Sequence, residues 1–197
     1  MEFITNFVSS LSVISKPSKE AFLNLLSIKS FKKGAVIAEY GEVPTHFFVL
    51  KSGIVRSYIT NDKGKEFIRS FFVPVTSTGS FSALILEKPS RLTYDCLTDC
   101  EIYTGDYKAF KDLTSKHIDL ANMYSTVLER IFIRMEKRIF ELSVLDATKR
   151  YLNLKKEIPN IDNLIPQYHI AAYLNITPVQ LSRIRKELYS RKSKSLT

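Results

Sequence analysis

The spacing of apolar residues changes twice along this chain of 197 residues, and each change marks a different kind of structure. Over residues 3–30 it is helical, with Phe3, Phe7, Leu11 and Ile14 on one stripe, then Phe22, Leu23, Leu25 and Leu26 after Pro17. From 31 to about 107 the runs are short and β-rich: FKKGAVIAEYGE, HFFVLKSGIVRSYIT, KEFIRSFFV and RLTYDCLTDCEIYT. Turn residues separate them at Gly41, Gly53, Asn61-Asp62-Lys63-Gly64 and Lys88-Pro89-Ser90. Strands roughly every 8–12 residues with turns between them predict an antiparallel sandwich or barrel, not βαβ units.

From about 112 to 145 the period is helical again, without Gly or Pro. Leu120, Met123, Val127 and Ile131 form one apolar stripe. Leu128, Phe132, Met135, Ile139 and Leu142 form a second beside it, at spacings of 4, 3, 4 and 3. Two stripes are more than one small domain covers, so one is expected on the β-unit and the other against a second copy of the chain. The alternative is a single wide stripe buried inside the monomer.

The C-terminal segment PQYHIAAYLNITPVQLSRIRK, residues 166–186, reads as two short helices about a tight turn. Pro166 suits the first turn of a helix whose apolar face is Ile170 and Leu174, with Ala171 leaving room for a neighbour. Asn175 tolerates the left-handed conformation that ends it. Thr177-Pro178-Val179-Gln180 is a second start, with a Thr cap, Pro at the first helical position and Gln closing a capping box. Leu181, Ile184 and Leu188 then face inward, and the pair is a helix-turn-helix. Thr177, Gln180, Ser182 and Arg183 are left facing outward, with Arg185 and Lys186 on the flank. Tyr168 and His169 stand at the start of the first helix, facing solvent or a phosphate. Arg and Gln can pair with guanine and adenine edges in a major groove, while Lys and Ser/Thr hold phosphates.

Charge supports that reading. The chain carries +9 overall, yet residues 1–130 hold 16 Lys+Arg against 14 Asp+Glu, while residues 131–197 hold 13 against 6. A basic end on a near-neutral body points to an anionic partner, double-stranded DNA above all. With 45% apolar and 25% charged residues the chain is globular rather than disordered. No apolar run nears the roughly 20 residues of a membrane span, and the N-terminus is not a signal peptide, so a soluble, cytoplasmic protein is expected. Cys96 and Cys100 make neither a disulfide framework nor a four-ligand metal set. On one extended strand they would lie roughly 13 Å apart, as buried small residues on one face. His46, His117 and His169 fall in three different regions, and no metal, nucleophile or P-loop motif is present, so no enzyme is expected.

Taken together, the β-rich unit, the long helix and the C-terminal helix-turn-helix resemble the Crp/Fnr transcription regulators over about residues 20–190. YHIAAYLNITPVQLSRIRK is similar to the recognition segment of short, Bacteroidetes-type members, and KKGAVIAEYGEVPTHFFVLKSGIVRSYI to the family's cyclic-nucleotide-binding roll. The resemblance implies an α+β fold: an antiparallel β-roll with N-terminal helices over 1–111, a dimerisation helix over 112–145, and a helix-turn-helix domain over 146–197. It also implies a homodimer on a pseudo-palindromic operator, with RNA polymerase as a further partner. The two-stranded wing usual in the family is not found after the recognition helix. Arg191, Lys192 and Lys194 are candidates to reach phosphates in its place.

The resemblance places a phosphate cassette at Gly79, Ser80, Phe81, Ser82 and Ala83, then Ser90, Arg91, Leu92 and Thr93. Members that bind cyclic nucleotides carry a Gly-Glu pair and an Arg-Ser or Arg-Thr pair there. Here Ser80 takes the place of the Glu, and Ser90-Arg91 reverses the second pair, turning Arg91 to the other face of a strand. Ordinary cyclic AMP sensing is therefore not expected, and another ligand or none is. The competing class is a small-ligand-binding or protein-interaction module whose C-terminal hairpin docks a protein.

Overall fold

The computed structural model describes residues 2–194, except the side chains of Tyr189 and of residues 191–194. Two N-terminal helices, α1 (Glu2–Ser9) and α2 (Lys16–Leu25), lead into the sheets. The Ser15 hydroxyl caps α2 by accepting the Ser18 N–H, and Pro17 sits in its first turn. The helical pattern read to residue 30 stops at Leu25. Leu26–Phe31 is instead strand β1, because its Leu-Ser-Ile-Lys-Ser-Phe alternation fits a ladder, in register from Leu26↔Gly105 to Phe31↔Cys100.

The remaining strands are β2 (Val36–Ala38), β3 (His46–Ser52), β4 (Val55–Thr60), β5 (Glu66–Phe72) and β6 (Thr76–Thr78). A short helix α3 (Phe81–Leu86) precedes β7 (Thr93–Cys96) and β8 (Cys100–Asp106). They form two four-stranded antiparallel sheets, ordered β1-β8-β3-β6 and β2-β7-β4-β5. Phe48, Leu50, Val55, Phe72, Tyr94 and Ile102 fill the space between them. Gly53 turns β3 into β4 at φ +91°, where a Cβ would lie 2.4 Å from the Asp99 carbonyl oxygen.

Cys96 and Cys100 do not share one strand. The chain turns between the end of β7 and the start of β8, so the extended-strand separation does not apply. Both thiols are buried, and the neighbouring Cys100, then burial, raises the pKa of Cys96.

After the roll come α4 (Tyr107–Lys116) and α5 (Ile118–Val144). The long helix thus begins at 118 rather than 112, because the chain bends at His117. Contacts from α2 hold that bend: Ser18 Oγ lies 3.0 Å from His117 Nδ1, and the Ser15 N–H donates to Asp119 at 2.9 Å. The second bond holds the Asp119 carboxyl down at about 2. Leu120 and Met123 are buried with Ile4, Phe7, Phe22 and Phe110 on the outside of the first sheet. The second stripe is open to solvent at Phe132, Met135, Ile139 and Leu142, Ile139 being 64% exposed.

The C-terminal helices are α6 (Ala147–Glu157), α7 (Ile161–Leu164), α8 (Gln167–Tyr173) and α9 (Pro178–Lys194). They do not form a separate bead. Tyr151, Leu154, Ile161, Ile170, Leu174 and Leu181 share one core with Ile54, Ile68, Phe71 and Leu97 of the roll. Leu181→Ala should cost about 2–5 kcal/mol in chemical denaturation, since the side chain is fully buried in that shared core.

Candidate nucleic-acid interface and the roll that carries it

The turn between α8 and α9 is built from the residues that predict it. Asn175 has φ 54°, and its N–H and that of Ile176 return to the Ala172 and Ala171 carbonyls. At the start of α9 the Thr177 N–H donates to Gln180 Oε1 at 2.8 Å, and the Gln180 N–H donates to Thr177 Oγ1 at 3.2 Å. That reciprocal box occupies the acceptor end of the Gln180 side chain, which is therefore not free to pair with adenine through both its polar atoms. Leu181 is fully buried, with Ile184 and Leu188 packed beside it. Thr177, Pro178, Ser182, Arg183 and Lys186 are exposed along the opposite face.

Arg185 lies further inward than the flank position expected of it. It is half-buried, with Nη1 3.8 Å from Asp162 on α7, where the carboxylate also takes the Tyr151 hydroxyl at 2.7 Å and Lys155 at 3.2 Å. Asp162 is a nearly buried anion, neutralised first by Lys155 and at longer range by Arg185. The side chains of Arg191, Lys192 and Lys194 lie outside the described residues.

His169, expected toward solvent or a phosphate, is only 6% exposed. It faces Arg56 of β4, whose Nη1 donates to His169 Nδ1 at 2.9 Å. The Arg56 guanidinium also donates to both Asp95 oxygens, at 2.7 and 3.0 Å, and to Glu66. Arginine has donors only, so His169 Nδ1 must accept and the ring is neutral with its proton on Nε2. Burial first, then the neighbouring Arg56 charge, pushes the His169 pKa down to about 4. For Arg56 burial opposes the charge, but the bonds to Asp95 and Glu66 outweigh it and raise the pKa. No local motif announces this cluster, whose members lie up to 113 residues apart. Its one sequence signal is a charged residue within Val55-Arg56-Ser57, a strand segment flanked by apolar positions.

The other end of α8 is held too. Arg138 of α5 donates to the Tyr173 carbonyl and stacks 3.8 Å from the Tyr173 ring, and Arg150 donates to the Leu174 carbonyl at 2.9 Å. Two cations thus meet the carbonyl end of the helix, where positive charge is favoured. The first turn of α9 borders a cleft of about 570 Å³ whose walls include Lys33 and Lys65 of the roll and Tyr168, Thr177 and Pro178 of the helix-turn-helix.

In the roll, Gly79 has φ +141°, and Ser80, Ala83 and Ser90 are buried. Ser90 Oγ lies 2.9 Å from Ser80 Oγ and 2.7 Å from the Leu92 carbonyl oxygen. The two serines therefore bond to each other. Phe81, Leu92 and Thr93 are half-buried, while Ser82 and Arg91 are exposed.

Two outcomes follow from the Arg56 cluster. Arg56→Met should destabilise the protein by about 3–5 kcal/mol in urea, because Asp95 and Glu66 lose their shared cation. In the wild type, His169 has a folded pKa below its unfolded value of about 6.5, so the unfolded chain binds more protons between the two values. Stability should fall as pH drops from about 6.5 toward 4, and His169→Gln should flatten that slope in pH-resolved melting.

The profile of the cyclic nucleotide-binding domain matches residues 28–117. The cAMP-activated global transcriptional regulator CRP of Salmonella typhimurium is 24% identical over 145 residues, covering 72% of this chain and 69% of its own. The protein of the same description from Pasteurella multocida is 27% identical over 148 residues, covering 71% and 69%. In fold the chain is similar to FixK2 from Bradyrhizobium japonicum, with a TM-score of 0.73 at 17% identity over 85% of this chain and 86% of that one. It is similar also to a putative Crp/Fnr-family regulator from Eubacterium rectale, with a TM-score of 0.71 at 18% identity over 90% and 85%. Among the described residues no helix is long and apolar enough to cross a membrane. The curated relatives are described as transcription regulators, and the chain shares with the solved Crp/Fnr-type structures the fold of a cyclic nucleotide-binding-type roll carrying a helix-turn-helix.

Proposed function

We propose that the protein is a homodimeric, sequence-specific DNA-binding transcription regulator. The observation that carries this reading is the two-faced α9: Leu181 and Ile184 anchor it in the core while Thr177, Ser182, Arg183 and Lys186 stay open to solvent. Arg183 is the base reader, since an unpaired guanidinium early in the second helix has the fork that matches guanine O6 and N7. Thr177, Ser182 and Lys186 hold phosphates, with Tyr168 beside them. Gln180 acts mainly by capping the helix.

The dimer forms through α5. Its exposed stripe of Phe132, Met135, Ile139 and Leu142 continues the heptad-like spacing read in the sequence, and burying it needs a second apolar helix. The two recognition helices then engage half-sites about one DNA turn, roughly 34 Å, apart. In the roll, the Ser80–Ser90 hydrogen bond takes the place of the charged pair that would hold a ribose and a phosphate, which supports a sensor that does not use cyclic AMP in the ordinary way.

Arg183→Ala should lose about 1–3 kcal/mol of affinity for a selected operator and relax specificity at one base pair, read by fluorescence anisotropy. Wild-type affinity should fall steeply with salt; a shallow dependence belongs to the rival reading, a hairpin that docks a protein. Ile139→Asp should convert the dimer to monomer in analytical ultracentrifugation while the far-UV spectrum stays unchanged, because the residue makes little contact within one chain.

A further inference from the structure

Outside the roll cassette, a second cavity of about 410 Å³ opens where β5, α5 and the C-terminal helices meet. Its walls carry four cations, Arg130, Arg134, Lys137 and Arg138, against two carboxylates, Glu141 and Glu157. Both carboxylates are engaged: Glu157 pairs with Lys137, and Glu141 accepts from Asn153 at 3.0 Å. Arg130 donates to the Ser10 carbonyl at 2.7 Å. Arg134, an exposed side chain, has no hydrogen bond or ion pair among the described residues; its guanidinium lies 5.9 Å from the Phe72 ring and feels the charge of Glu157. Arg138 uses one nitrogen on the Tyr173 carbonyl, while its Nε and Nη1 are buried without an acceptor. Burial works against the Arg138 charge, so the missing acceptor is costly. On the opposite wall Ser70 and Thr76 present hydroxyls that make no hydrogen bond among the described residues.

The site is therefore one dianion short. We infer that this cavity binds a small phosphorylated ligand, its phosphate or diphosphate held by Arg134, Arg138, Ser70 and Thr76. Guanidinium forks and hydroxyls are the donors that phosphate oxygens take. Phe71, Ile133 and Tyr173 offer the rest of the ligand an apolar wall, and the volume falls in the range of small-molecule sites. At about 100° per residue, Arg134 lies some 140–160° around α5 from Phe132 and Ile139 and about 80–100° from Met135 and Leu142, beside the apolar stripe rather than on it. None of the cassette residues lines it.

Binding is measured on the full chain, without DNA, by titration calorimetry and thermal melting with ADP and with inorganic pyrophosphate, against sodium chloride at equal ionic strength. Either probe should bind and raise the melting temperature. Equal affinity for both assigns the site to the diphosphate alone, and a preference for ADP assigns a nucleotide. Arg134→Gln should weaken binding at least about tenfold, since a charge-assisted pair is lost, while the ligand-free melting temperature holds because Arg134 makes no hydrogen bond in the fold. Arg138→Lys, which keeps the charge, should bind more weakly than wild type and more tightly than Arg138→Gln. Ser80→Ala and Arg91→Ala should bind as wild type. Failure of both probes to bind would overturn the assignment. So would binding undiminished in Arg134→Gln, or binding lost in the two cassette variants.

Discussion

Arg56 sits where the second sheet meets the helix-turn-helix, ringed by Asp95, Glu66 and the His169 imidazole, and the placing of the C-terminal domain depends on that arrangement. A buried guanidinium is tolerable only when its donors are matched, and here the last match is supplied from α8. The apolar contacts around it, Ile54, Ile68, Phe71 and Leu97 against Ile170, Ala171 and Leu174, supply area without direction. The hydrogen bond to a neutral imidazole supplies direction. Because His169 is neutral, it can accept from Arg56 without adding a second positive charge to the cluster.

The same helix is held from its other end by Arg138 of α5 and Arg150 of α6, so α8 links the roll to the long helix. Around α5 the faces divide the work. Leu120 and Met123 fix its start on the roll, the Arg134–Glu141 side meets the C-terminal helices, and the Phe132–Ile139 side stays open to solvent. From α8 the chain passes to α9 through a connection of four residues, 174–177.

The elements with a clear period were legible in the sequence: the roll's strand-and-turn texture, the two stripes of the long helix and the capping box of α9. What escaped had a tertiary cause. Leu26–Phe31 continues an apolar run in the sequence but becomes a strand because β8 offers it a ladder. The helix expected from 112 breaks at His117 because Ser15 and Ser18 of a distant segment bond there. His169 looks like an exposed residue at a helix start, and only the fold brings Arg56 to it. Arg185 reads as a flank residue of α9, and only the fold turns it toward Asp162. Polar residues were misplaced wherever their partner lies far along the chain, since periodicity reports burial and not pairing. The basic cavity at α5 was hidden for the same reason, because its arginines and hydroxyls come from segments more than 50 residues apart.

If two copies of α9 read DNA together, selection of bound duplexes from a random pool by the wild-type protein should enrich one inverted repeat whose half-site centres are about one helical turn, roughly 34 Å, apart. Enrichment of a single half-site, or of no sequence at all, would contradict that paired reading.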